Sequence, residues 1–78
     1  MDNQKTGELI RALRKEKGYT QKQLAELLHI SPKTISKWET AAGYPDISLI
    51  AQLARVLDTT GEQLLQGNTP NPIQLGGN

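Results

Sequence analysis

The stretch GYTQKQLAELLHISPKTISKWE, residues 18–39, decides the fold. Within it Leu24, Ala25, Leu27 and Leu28 recur at helical spacing, and after a break at His29-Ile30-Ser31-Pro32 the pair Ile35 and Trp38 resumes the stripe. Both helix starts are explicit. Thr20 with Gln23 has the spacing of a capping box, in which each side chain satisfies the other residue's backbone N–H, and Tyr19 with Leu24 that of a hydrophobic staple. Ser31 is placed to cap the next helix. Pro32 stands at the first helical position, where its missing N–H costs nothing, and Ile30 with Ile35 makes a second staple. The stretch therefore reads as two short helices of about 8 and 9 residues, joined by about three.

The same periodicity extends outward. Leu9, Ile10 and Leu13 form a stripe closed by Lys15, Lys17 and Gly18, a helix end with basic residues and a permissive glycine. Ile47, Ile50, Leu53, Ala54 and Leu57 form another, with Asp46 as its cap, and Leu64 and Leu65 begin a last one before Gly67, opened by a Thr60–Gln63 capping box. No segment alternates with period two. The expected fold is all-α, a compact bundle of five short helices over residues 1–66. The motif occupies about 20–39, and 67–78, rich in Gly, Pro and Asn, reads as a flexible C-terminal tail or the start of a linker.

Composition sets further bounds. Seventy-eight residues make one small domain, and 36% hydrophobic with 22% charged residues is ordinary globular composition. The absence of cysteine excludes disulfides, thiolate metal sites and cysteine nucleophiles, and the single His29 excludes a histidine metal cluster. No nucleophile–base pair, paired carboxylates or phosphate-binding glycine loop stands out, so neither an enzyme nor a cofactor is expected. No apolar run approaches a membrane span and the N-terminus lacks a signal-peptide core, so the expected location is cytoplasmic. The net charge of +1 is uninformative, but its distribution is not. Residues 1–40 carry eight basic against five acidic side chains, and residues 41–78 one against three. That asymmetry marks either a face for a polyanion or a randomly uneven surface.

Two short helices with a three-residue turn are the helix-turn-helix of DNA-binding proteins. Residues 18–39, together with the leading helix LIRALRKEKG (9–18), Trp38-Glu39, Pro45-Asp46 and the closing Glu62-Gln63-Leu64-Leu65, resemble the lambda repressor/Cro-like family, also called the xenobiotic-response-element family. The resemblance covers roughly residues 7–66. Leu24, Leu28, Ile30, Ile35 and Trp38 are then the contacts that hold the motif together, and Ala25 is small because the two helices cross there.

The resemblance implies that residues 31–40 form a recognition helix in the major groove. With Ile35 and Trp38 facing inward, the outward side presents Pro32, Lys33, Ser36 and Lys37, and Ser31 at the helix start is a further DNA-binding candidate. Lys33 and Lys37 are placed to donate to guanine O6 and N7 or to phosphates, and Pro32 offers van der Waals contact to a thymine methyl. Gln21 and Lys22 are expected at the phosphate backbone, with Thr34 and Thr40 as weaker phosphate candidates. Lys5 and Lys17 read as ordinary surface charges. The family also implies a buried structural ion pair between Arg14 and Glu39.

Two departures from the family pattern stand out. The turn position usually held by glycine is His29, one of the few other residues that tolerates positive φ; it reads as a strained turn residue, with a pH sensor as the alternative. After Glu39 the family often has glycine and basic residues, whereas this chain has Thr40-Ala41-Ala42-Gly43-Tyr44, leaving Tyr44 or loop amides to grip phosphates.

The function expected from the resemblance is a sequence-specific double-stranded-DNA-binding transcriptional regulator, read as a repressor, binding an inverted-repeat operator as a homodimer. Leu64 and Leu65, with Leu49 or Val56, are either its dimer surface or part of the domain's own core. The competing reading is a protein-interaction module such as an antitoxin, with DNA binding secondary, for which the acidic second half and Ile73 and Leu75 leave room.

Overall fold

The computed structural model describes residues 3–67. Over these the chain is all-helical, in the order α1 (Asn3–Glu16), α2 (Gln21–Leu28), α3 (Pro32–Glu39), α4 (Ile47–Leu57) and α5 (Gly61–Gln66). The segment 68–78, including Ile73 and Leu75, lies outside the described residues. No described helix is long and apolar enough to cross a membrane.

The helix boundaries follow from local chemistry. Thr20 Oγ1 accepts from the Gln23 N–H at 3.0 Å while Gln23 Oε1 accepts from the Thr20 N–H at 2.9 Å, so α2 opens with a closed capping box. Ser31 Oγ accepts from the Lys33 N–H at 3.1 Å, and the Asp46 carboxylate accepts from the Ser48 N–H at 3.2 Å. The α5 start departs from expectation. Thr60 Oγ1 accepts from the Gln63 N–H, but Gln63 Oε1 is taken by the Thr59 hydroxyl at 3.1 Å, so the box is closed on one side only. The preceding threonine supplies the competing donor.

His29 ends α2 in the left-handed region, at φ 58 and ψ 43. Its N–H reaches Glu26 O, and the Ile30 N–H reaches Ala25 O at 2.9 Å, which satisfies two terminal carbonyls. The three-residue turn and eight-residue helices follow, and they fix the angle between α2 and α3.

The core is built from Ile10, Leu24, Ala25, Ile35, Leu53 and Leu64, all fully buried, with Trp38 at their edge. α3 packs against both α1 and α2, and α5 against α1 and α4. Leu64 sits inside this core, so of the two roles left open for it the intramolecular one is correct; Leu49, Val56 and Leu65 are half-buried. Two contacts in α1 carry no local sequence signal. The buried Thr6 hydroxyl donates to Leu64 O at 2.8 Å, tying α1 to α5. Gly7 lies against the end of α3, where a Cβ would collide with the Trp38 carbonyl oxygen. The close approach is what brings the last turn of α3 onto α1.

Candidate nucleic-acid interface

α3 is two-faced because of its spacing. Ile35 and Trp38 are buried, while Pro32, Lys33 and Lys37 are exposed, with Ser36 and Thr34 half-buried between the two sides. Lys33 and Lys37 are four residues apart and share the outer side. Lys22 is exposed near the start of α2, and Gln21 beside it is half-buried.

Hydrogen-bond bookkeeping separates the polar candidates. Ser31 Oγ accepts from Lys33 N, which leaves its own proton to donate to an external acceptor. Thr40 differs: its hydroxyl donates to Ser36 O at 2.9 Å, so the proton expected for a phosphate is spent inside the helix. The loop after α3 differs as well. The N–H of Ala41 reaches Trp38 O, and those of Ala42 and Gly43 reach Lys37 O at 2.8 and 3.2 Å. These amides close the C-terminal end of α3, so they are not the phosphate donors anticipated for this loop. Ala41 takes φ 63 to make the turn, a conformation costing a non-glycine residue about 1–2 kcal/mol. Tyr44 follows, half-buried.

A buried polar cluster stands behind the outer face. Arg14 Nε donates to Glu39 Oε2 at 2.6 Å and Arg14 Nη2 to Glu39 Oε1 at 3.1 Å, a bidentate pair. The third guanidinium nitrogen, Nη1, donates to Tyr19 O at 2.8 Å, in the link between α1 and α2. The two side chains are only 10% and 3% exposed. Gln21 joins them, its Nε2 donating to Glu39 Oε1 at 3.0 Å. That third bond was not legible in the sequence, because Gln21 and Glu39 meet only once the motif has folded. Among the described residues no group of three metal-ligating side chains converges.

Comparisons with known proteins agree with this geometry. A helix-turn-helix family model matches residues 10–64. The chain is similar to the HTH-type transcriptional activator BcrR of Enterococcus faecalis, 40% identical over 60 residues that make up 77% of this chain and 29% of that protein. It is also similar to the SPbeta prophage-derived uncharacterized HTH-type transcriptional regulator YonR of Bacillus subtilis (strain 168), 31% identical over 78% of this chain and 56% of that protein. The chain thus spans only part of the length of both. Among solved structures it resembles the restriction-modification controller protein C.AhdI of Aeromonas hydrophila, with a TM-score of 0.74 and 30% identity, covering 81% of this chain and 96% of that one. The clp gene regulator ClgR of C. glutamicum superposes with a TM-score of 0.72 at 26% identity, over 83% of this chain and 84% of that one. The chain belongs to the lambda repressor/Cro-like helix-turn-helix family of DNA-binding transcriptional regulators.

Proposed function

We propose that α3 lies in the major groove of duplex DNA and reads sequence there, with Lys33 and Lys37 donating to guanine edges or flanking phosphates and Pro32 touching a thymine methyl. The observation that carries this reading is the division of α3 into a buried Ile35–Trp38 side and an exposed Lys33–Lys37 side. Ser31, Thr34 and Ser36 border the exposed side. Gln21 and Lys22 meet the phosphate backbone at the start of α2, and Tyr44 flanks the far end. Thr40 contributes through α3's last turn, since its proton is used internally.

One recognition helix gives too small a contact for specific affinity, so the domain acts as a homodimer on an inverted repeat. The regulator is a binding module, not an enzyme, and works in the cytoplasm, where it meets its operator. Its action is repression by occupying a promoter, which needs nothing beyond the DNA contact. BcrR is named an activator, so the direction of regulation is tested by a promoter reporter.

Selection of binders from randomised duplexes at moderate salt tests the reading as a whole. The expected result is an enriched inverted repeat with half-sites about one helical turn apart. Failure to bind any duplex even at low salt would remove it and favour an interaction module.

A further inference from the structure

We infer that Glu39 is a positioning residue for DNA binding, acting through Gln21, in addition to holding α3 against α1. The inference rests on the reading that Gln21 meets a phosphate.

The chemistry of the cluster fixes what Gln21 can present. A carboxylate only accepts hydrogen bonds, whereas a primary amide has one accepting oxygen and two donated hydrogens. Glu39 Oε1 accepts from Gln21 Nε2, so the amide nitrogen, and not its oxygen, is held against the carboxylate. One Nε2 hydrogen is consumed. The other stays on the same nitrogen, at the first residue of α2, where exposed Lys22 follows. Without the carboxylate, the amide is free to flip and put its oxygen where the nitrogen stood, and an oxygen there repels a phosphate.

Glu39 is itself held through both carboxylate oxygens. Its side chain is 3% exposed and shares two bonds with Arg14, whose remaining nitrogen is anchored on Tyr19 O just before α2 begins. The acceptor that orients Gln21 is thus held by α1 and α3 together. A donor at the protein surface is aimed by a charge that never touches DNA.

The test is a double-mutant cycle on the full chain, with a short mixed-sequence duplex as probe, since a phosphate contact does not depend on sequence. Gln21→Met should weaken binding about ten- to a hundredfold, the loss of one hydrogen bond to a charged group. Glu39→Asp keeps a charge opposite Arg14 but draws the oxygen shared by Arg14 Nη2 and Gln21 Nε2 back from both; assayed at a temperature where its unfolding curve shows it folded, it should weaken binding by a similar factor. The double variant should be no weaker than Gln21→Met alone. Additive losses would overturn the inference, because Glu39 would then act on binding independently of Gln21. If Gln21→Met binds as tightly as the wild type while Lys22→Met does not, the Gln21–phosphate contact is wrong and the inference falls with it, although α2 still faces the backbone.

Wild-type NMR provides a check that survives poor folding of Glu39→Asp. One Gln21 side-chain amide proton should keep its shift when duplex is added while the other moves. Both moving, or neither, would overturn the inference.

Discussion

The two sides of α3 are built on opposite principles. The inner side has no freedom: Ile35 is fully buried, Trp38 nearly so, and Glu39 is fixed by three hydrogen bonds. The outer side has two exposed lysines, neither of which takes part in the ion pairs found among the described residues. The difference shows how such a small domain divides its work. Stability is concentrated where the helix meets α1 and α2, and the outer surface is left free to change without cost to the fold.

That division predicts that substitutions sort by side. The largest effect belongs to Glu39→Ala and Arg14→Ala, each leaving a buried charge unpaired, at about 3–5 kcal/mol of stability. Thermal or urea unfolding measures it, and an unchanged midpoint in both variants would mean the pair contributes nothing. Gly7→Ala comes next, since its Cβ meets the Trp38 carbonyl and forces α1 away from α3; about 1–3 kcal/mol is expected. By contrast the exposed Lys17–Asp58 pair, 3.3 Å long, should yield about 0–1 kcal/mol in Lys17→Ala, a loss that salt reduces further.

The smallest effect concerns the α4 cap. Two hydrogen bonds from Ser48, the side chain's first and the backbone's second, hold the Asp46 carboxyl below its ordinary pKa of 3.8. A carboxyl depressed in the folded state stabilises above its unfolded pKa, and the contribution disappears as pH falls through the folded value. Asp46→Asn should therefore differ in its pH dependence of stability only in the acidic range near and below 3.8, measured by unfolding midpoints across that range.

Most of the fold was legible because its signals are local. The Thr20–Gln23 box, the Ser31-Pro32 start and the Asp46 cap each lie within four residues of the group they satisfy, and the apolar stripes gave the buried faces of all five helices. What sequence reading missed depends on meetings across the chain. Gly7 is small for the sake of Trp38, Thr6 is polar for Leu64 O, and Gln21 is oriented by Glu39, pairs separated by 31, 58 and 18 positions. The loop amides were misjudged for a related reason: only the backbone path, with Ala41 at positive φ, turns Ala42 and Gly43 back onto Lys37 O. The candidate DNA side chains on α3 were legible by elimination, since a helix with Ile35 and Trp38 inward has one remaining side.

The measurement that goes furthest is duplex affinity against salt for the Lys33→Ala Lys37→Ala double variant, taken alongside its thermal midpoint. With both lysines on the outer side and engaged with DNA, the midpoint stays near that of the wild type while affinity collapses, and the log–log salt slope becomes shallower by up to about two if both meet phosphates. A folded double variant that binds duplex as tightly as the wild type, with the same salt slope, would contradict the assignment of this side of α3 to DNA.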